Sequence, residues 1–282
     1  MPTPFIITLS CPDRVGIVHA VSACLVAQSA NITEAAQFND ASTGLFFMRV
    51  RFDVAGSDEG LLRGLFTPIA TAFEMSWGLY NANDRLPTVL MVSRLGHCLN
   101  HLLFHHSTHP LPLDIRAIVS NHRDYYQLAA SHNIPFHHVP VTPATKAQAE
   151  SRLLDIVAQE KAELVVLARY MQVLSDPLCR ELAGKAINIH HSFLPSFKGA
   201  KPYQQAFDRG VKTIGATAHY VTAELDEGPI IEQGTARADH SMSVAQLTAI
   251  GRDIESAVLT RAVTWHAERR VLVNGHKTVV FQ

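Results

Sequence analysis

The sequence predicts an α/β protein with two domains, because strands and helices follow one another in two different orders. The first ~80 residues predict strand, helix, strand, strand, helix and strand, the order of a ferredoxin-like βαββαβ sandwich. From residue 85 on, short apolar strands alternate with helices, which predicts a mainly parallel sheet. The polar segment Asn81–Pro87 predicts the linker. We therefore divide the chain into domains at residues 1–84 and 85–282.

The elements of the first domain each have a sequence signal. Phe5–Leu9 predicts an apolar strand, and Asp13 is a suitable N-cap for the helix that follows. Asn31–Asn39 and Leu45–Asp53 predict two strands joined by a turn. The second helix contains Pro68, which predicts a kink or an early end. The apolar positions expected to be buried on the two helices are Val15, Val18, Val21 and Leu25, then Leu61, Leu65, Ile69 and Phe73.

The second domain is predicted from five apolar runs separated by helices. The runs are Thr88–Ser93, Ile115–Ser120, Phe136–Val139, Leu164–Ala168 and Ala186–His190. Capping boxes, in which Thr or Ser precedes Gln by three residues, predict helix starts at Thr145 and Ser243. The second of these helices is long and amphipathic, so we expect it to pack on the sheet.

Composition limits the classes of partner. The 24 Lys+Arg and 25 Asp+Glu residues give a formal net charge of -1, so charge provides no reason to expect nucleic acid or a membrane as partner. The cysteines Cys11, Cys24, Cys98 and Cys179 form no Cys-x-x-Cys pair, which favours a reducing compartment. We see neither a signal-peptide pattern nor an apolar run of membrane-spanning length, and therefore expect a cytoplasmic protein.

Two segments bring together the residue types of acyl-transfer chemistry. In the strand before Pro195, side chains alternate, so Asn188 and His190 share a face at the carboxyl end, where α/β folds bind ligands. Downstream, Asp226-Glu-Gly-Pro predicts a tight turn that carries a carboxylate. Taken alone, each segment is also explained by polar residues that face solvent and have no catalytic role. Together, an amide donor, an imidazole and a carboxylate suit the cleavage of an amide.

These segments also carry a resemblance to a known family. Ile187–Phe197 followed by Leu225–Ile231 resembles the folate-dependent formyltransferases, and Leu164–Leu174 is similar to their strand and pteridine-binding loop. Over its whole length the chain resembles the formyltetrahydrofolate deformylases, in which an ACT domain precedes the formyltransferase-type domain. The further stretches that match this pattern are Cys11–Gly16, His97–Leu99 and Ser192–Tyr203.

The resemblance implies that Asn188, His190 and Asp226 catalyse hydrolysis of 10-formyltetrahydrofolate to tetrahydrofolate and formate, supplying one-carbon metabolism and purine biosynthesis. Asn188 would stabilise the oxyanion, while Asp226 would orient His190; which of these two takes the proton from water stays open. No metal and no cofactor are expected, since the folate is the substrate. The residues expected to bind it are Met171, Gln172, Val173, Leu174, Leu225 and Lys146.

The ACT resemblance implies an amino-acid effector, glycine or methionine, and a homo-oligomer, dimer or tetramer, with paired ACT domains. Asp13, Gly16 and Asn31 occupy the loop and strand where such ligands bind. Each also has an ordinary structural explanation, as a helix cap, a close-packing glycine and a turn residue respectively.

Two alternatives stay open: a formyltransferase with an amine acceptor such as glycinamide ribonucleotide, and a catalytically silent ligand-sensing regulator. The transferase would need a glycine-rich phosphate loop, whereas Ser93–Leu99 contains one glycine, which favours water as nucleophile. His97, His101 and His105 share a helix face and suggest a metal site. We expect instead a solvated or subunit-facing stripe, because only Cys98 accompanies it and would point away.

Overall fold

The computed structural model describes residues 2–56, 58–109, 111–191 and 202–282. They form two compact units. The first contains the residues up to Asp84 together with Glu268–Asn274 and Thr278–Gln282, and the second contains Arg85–Ala267 and Gly275–Lys277. Within the described ranges, no helix combines the length and the apolar character that crossing a bilayer requires.

The first unit has the expected βαββαβ order around an antiparallel sheet. Its elements are β1 (Thr3–Pro12), α1 (Ile17–Ala27), β2 (Asn31–Asp40), β3 (Leu45–Val54), α2 (Glu59–Ala72) and β4 (Ser76–Asn81). The strand order is β2-β3-β1-β4, so β1 and β3 lie in the centre. Their inward side chains, such as Leu9 and Val50, share an apolar core with the buried sides of both helices.

The buried positions match the prediction in part on α1, where Val21 and Leu25 are buried as expected, and differ from it on α2. The side chains that are buried are Ile17, Val21 and Leu25 on α1, and Leu62, Phe66 and Ala70 on α2. Val15 is exposed because α1 begins only after Gly16, whose φ is 99°. On α2, neighbouring apolar residues offer two possible stripes, and packing of Phe66 against Trp77 at 4.7 Å selects one. Pro68 does not end the helix.

The C-terminal segment belongs to the first unit, whereas the sequence assigned it to a second domain ending at residue 282. Its strands are β12 (Val271–Asn274) and β13 (Lys277–Val280). The buried Arg49 donates to the backbone oxygen of Glu268 at 3.1 Å and pairs with Glu34 at 3.0 Å. Arg270 pairs with the same Glu34 carboxylate at 2.8 Å. The contacts that Glu268 and Arg270 make span more than 200 positions of the chain, so no local pattern indicates them.

The second unit is a seven-stranded sheet with packed helices. Its elements are β5 (Leu86–Val92), α3 (His97–Thr108), β6 (Leu113–Ser120), α4 (Tyr126–Ser131), β7 (Phe136–His138), α5 (Lys146–Gln159), β8 (Leu164–Leu167), α6 (Asp176–Glu181), β9 (Ala186–His190), α7 (Pro202–Asp208), β10 (Thr213–Tyr220), β11 (Ile230–Arg237) and α8 (Val244–Ala267). The strand order is β11-β10-β9-β8-β5-β6-β7. The strands from β5 to β9 are parallel, and β10 and β11 extend the sheet at one edge as antiparallel strands. The expected mainly parallel sheet is therefore confirmed.

The two predicted capping boxes have different outcomes. At the start of α8, the Ser243 amide donates to Gln246 Oε1 at 2.8 Å, and the Gln246 amide donates to Ser243 Oγ at 3.3 Å. At the start of α5, Thr145 Oγ1 instead accepts from the Thr142 amide at 3.0 Å. The turn before α5 thus supplies a nearer donor, and the capping box predicted at Thr145 does not form.

Candidate active site

Asn188 and His190 lie on one face of β9, at the end of the strand where the sheet binds ligands. Ile187 and Ile189, on the alternate positions, are buried. The strand is parallel to β8 on one side and antiparallel to β10 on the other. This arrangement places Asn188 directly opposite His219 of β10.

The loop between β10 and β11 carries Asp226 in a left-handed conformation, with a φ of 58°. Gly228 follows, and a Cβ at that position would lie 1.7 Å from the backbone oxygen of Tyr220. Any larger residue would therefore displace the loop. The Tyr220 amide donates to the backbone oxygen of Pro229 at 2.9 Å and closes it. Loop geometry thus fixes the position of the Asp226 carboxylate.

His190 and Asp226 are in direct contact, with 3.2 Å between Nδ1 and Oδ2. Burial raises the pKa of Asp226, but the hydrogen bond from His190 and the nearby His219 outweigh burial and hold that pKa well below its usual range. Asp226 is therefore a carboxylate at neutral pH. Nε2 of His190 is buried and has no hydrogen-bond partner within the described parts of the chain, and an unpaired buried polar atom of this kind calls for a functional explanation.

A second histidine, His219, belongs to the site and was missed by the sequence reasoning. Its Nδ1 lies 2.8 Å from the Tyr220 backbone oxygen, which can only accept, so Nδ1 bears a proton. Its Nε2 lies 3.3 Å from Asn188 Nδ2 and 3.7 Å from Asp226 Oδ1. His219 therefore orients the Asn188 amide beside the carboxylate. His219 lies in the apolar run Thr213–Tyr220, which predicts a strand. That run would have placed His219 beside Asn188 only if the strand had been known to be antiparallel to β9.

These side chains line a cavity of about 270 Å³ together with the loop that follows β8. The predicted folate-binding residues that line this cavity are Met171, Gln172, Val173, Leu174 and Leu225. Met171, Val173 and Leu225 are 53%, 58% and 61% exposed, and large apolar side chains left open at a cavity are typical of a ligand site. Lys146 lies elsewhere: it lines a smaller adjoining cavity with Tyr170 and Gln172.

Hydrogen bonds hold the loop after β8 near both of its ends. Ser93 Oγ accepts from the Met171 amide at 2.9 Å and donates to Asn121 at 2.7 Å. At the other end, the Ser175 amide donates to Glu150 at 2.8 Å, and Ser175 is the N-cap of α6. The apolar rim of the cavity is therefore built on a fixed backbone.

His97 and His101 of α3 contact α8, so the prediction of a solvated or subunit-facing stripe was wrong for these two residues. His97 Nε2 lies 2.7 Å from Glu255, whose side chain is 1% exposed. His101 Nδ1 lies 2.9 Å from Thr260 Oγ1, and the His105 ring lies 4.4 Å from the His101 ring. Both partners come from a helix about 160 residues further along, which is why the sequence pattern did not show them.

Cys98 also joins this cluster, contrary to the expectation that it points away. The ligand-type atoms of His97, Cys98 and Glu255 all lie within 4.8 Å of one another. Burial raises the pKa of the Cys98 thiol to about 12. Arg169 already lies 3.3 Å from the Glu255 carboxylate. This guanidinium neutralises the carboxylate and would repel a cation, which favours an ion-pair cluster at this place over a cation site.

The residues predicted for an amino-acid effector have separate contacts. Asp13 accepts a hydrogen bond from Asn39, and its amide donates to Gly44 at 2.9 Å. Asp13 does not cap α1, because the N-cap residue is Gly16. Asn31 is the exposed first residue of β2. The structure thus brings Asp13 together with Asn39 rather than with Asn31.

Comparison with known proteins agrees with this geometry. A family model described as formyl transferase matches residues 87–263. A formyltetrahydrofolate deformylase from Corynebacterium sp. strain P-1 is 50% identical over 279 residues, or 98% of each chain. One from Escherichia coli K12 is 37% identical and covers 96% of this chain and 95% of its own.

Solved structures give the same result. The crystal structure of a formyltetrahydrofolate deformylase from Burkholderia mallei matches all of both chains with a TM-score of 0.96 and 52% identity. Glycinamide ribonucleotide transformylase 1 from Symbiobacterium toebii matches with a TM-score of 0.66 and 27% identity, over 73% of this chain and 98% of that chain. Of the predicted deformylase-specific stretch, residues 192–201 lie outside the described residues. The chain belongs to the formyltetrahydrofolate deformylase family.

Proposed function

We propose that the chain hydrolyses 10-formyltetrahydrofolate to tetrahydrofolate and formate. The observation that carries the proposal is the contact between His190 and Asp226, beside Asn188, in a cavity with an open apolar rim. Relatives that match nearly the whole chain at 37% to 52% identity bear the name of this activity, which supports the assignment. The formate released would serve one-carbon metabolism, including purine biosynthesis.

Asn188 supplies the oxyanion donor. Water adds to the formyl carbon, the formyl oxygen becomes an oxyanion, and the carbon–nitrogen bond then breaks as the arylamine nitrogen takes a proton and formate leaves. Of the two Asn188 N–H groups, one faces His219 Nε2, which leaves the other for the oxyanion. A donor held in place before the reaction stabilises the developing charge without reorganisation.

His190 is the group that exchanges the proton in this proposal. The Asp226 carboxylate favours a proton on His190 Nδ1 and leaves Nε2 for the reacting atoms. The lowered pKa of Asp226 makes that carboxylate a weak base, so Asp226 orients and stabilises the imidazolium. Nε2 first takes a proton from water and then returns it to the leaving nitrogen.

A feature of α3 disfavours the alternative transferase. Phosphate groups bind well at open helix N-termini. Here the Tyr125 ring lies within 2.3 Å of where a Cβ on Gly96 would be, and its hydroxyl donates to the Arg94 backbone oxygen at 2.8 Å. Tyr125 therefore covers the turn before α3. An amine acceptor with a phosphate would lack its anchor, and water is the simpler nucleophile.

The test is formate release by the purified protein from 10-formyltetrahydrofolate without any amine. We expect formate and tetrahydrofolate in equal amounts, and no change in rate when glycinamide ribonucleotide is added. Turnover that depends on the amine would establish the transferase. Folate binding without any turnover would establish a silent regulator.

For the first unit we propose an ACT-like regulatory domain, residues 1–84, that binds glycine or methionine and pairs with a second copy. The βαββαβ order and the edge strand β2, with exposed Ile32 and Phe38, support pairing. Sedimentation should give a dimer or tetramer, and each amino acid should be tested for its effect on formate release. A monomer at micromolar concentration would contradict the pairing.

A further inference from the structure

Arg169 and His191 form a buried line of contacts that ends at His190. Arg169 Nη1 lies 2.6 Å from His191 Nδ1. The His191 ring lies flat against the His190 ring, with 4.8 Å between the centroids and 22° between the planes. On its other side, the Arg169 guanidinium lies 3.3 Å from Glu255. The proposed hydrolysis assigns no role to Arg169, His191 or Glu255.

Glu255 on α8 anchors this line. Its carboxylate accepts from the Tyr203 hydroxyl at 2.6 Å and lies 2.7 Å from His97 Nε2. Burial raises the pKa of Glu255, but the bond from His97, the charge of Arg169 and the bond from Tyr203 outweigh it and lower that pKa. The ionised carboxylate therefore holds the buried guanidinium, which would be costly to leave unpaired. Two of the stretches that match the deformylase pattern supply the partners His97 and Tyr203.

The same contacts determine the protonation state of His191. A guanidinium has only donors, so His191 Nδ1 must accept and the ring proton lies on Nε2. Burial, followed by the charge of Arg169, lowers the pKa of His191 to about 4, and the ring is neutral at neutral pH. A charged ring in this place would repel the imidazolium of His190 and weaken its pairing with Asp226.

We propose that Glu255, Arg169 and His191 are positioning residues that hold a neutral ring against His190. The stacked ring keeps His190 in the orientation in which Nδ1 meets Asp226 and Nε2 makes no hydrogen bond with the described residues. This inference rests on the proposed hydrolysis, since the orientation matters for the proton transfer.

The kinetic test compares variants that remove the His191 ring or its Arg169 partner with one that keeps a ring at position 191. In His191→Ala and Arg169→Met, misplacement of His190 should lower kcat by about 10²-fold and change KM by less than about two-fold. His191→Phe keeps the stacked ring and should recover most of the lost kcat. Glu232→Gln, which removes a 2.9 Å ion pair with Arg261 on α8 away from the cavity, is the matched control and should keep the wild-type kcat.

A second readout does not depend on turnover. ¹⁵N NMR of histidine-labelled protein should show His191 at neutral pH with its proton on Nε2, and Arg169→Met should release this tautomer. A doubly protonated His191 in the wild type would overturn the proposal. So would a folded His191→Ala protein that keeps its kcat, or one in which KM alone changes. If the wild type releases no formate, the proposed hydrolysis is refuted. The His191 tautomer then still shows whether Arg169 and His191 are in contact.

Discussion

Replacing Asp226 by asparagine tests the contact on which the proposed chemistry depends. The variant keeps the shape of the side chain but removes the charge that faces His190 at 3.2 Å. With an effective dielectric constant of about 20, unit charges at this separation attract by about 5 kcal/mol. The Asp226 side chain is 24% exposed, so we reduce this to about 4 kcal/mol, which corresponds to about a 10³-fold lower kcat.

The assay is continuous formate release coupled to a formate dehydrogenase, with folate affinity measured separately by fluorescence titration. The apolar residues at the rim of the cavity are unchanged, so affinity for the folate should stay within about two-fold. Asp239→Asn is the matched control, because Asp239 pairs with His240 at 3.4 Å in an exposed place. Near-normal turnover in Asp226→Asn, or an equal loss in Asp239→Asn, would refute the reasoning.

Three further predictions follow from the same structure. Asn188→Ala should lower kcat by about 10²–10³-fold with folate binding retained, because an oxyanion donor is lost; unchanged formate release would contradict this. Gly228→Ala should lower kcat by about 10²-fold, since a Cβ 1.7 Å from the Tyr220 oxygen displaces the loop, whereas Gly64→Ala, with open space, should not. The pKa of His191 is about 4 in the folded protein instead of the ordinary 6.5. As pH falls from 6.5 to 4, the unfolded chain therefore binds a proton that the folded protein does not, and the free energy of unfolding decreases. Denaturant unfolding should show up to about 3 kcal/mol of this loss in the wild type and none of it in His191→Phe.

The part of the site that sequence reasoning reached follows local rules. Alternation along β9 places Asn188 and His190 on one face, and turn chemistry around Gly228 places Asp226 on a loop. Each rule uses residues within a few positions of one another. Their meeting in one cavity was expected from the family resemblance and is visible only in the structure.

The parts that were missed depend on pairing between distant segments. His219 contacts Asn188 only because β10 runs antiparallel to β9, whereas the alternating pattern indicates parallel neighbours. Glu255 meets His97 from 158 positions away, so the histidine stripe was assigned to solvent. The place of the C-terminal segment in the first unit was missed for the same reason, because its contacts with Arg49 and Glu34 join distant parts of the chain. The buried stripe of α2 was predicted wrongly for a different reason, because adjacent apolar residues left two possible faces.

The central claim is that this cavity directs water to the formyl carbon, and isotope transfer tests it most directly. Turnover in H₂¹⁸O, followed by mass spectrometry of the formate, reports the origin of both oxygens. The account predicts one solvent oxygen in each formate molecule at the first turnover, with the other retained from the formyl group. Formate without solvent oxygen, or label appearing only when an amine is added, would contradict it.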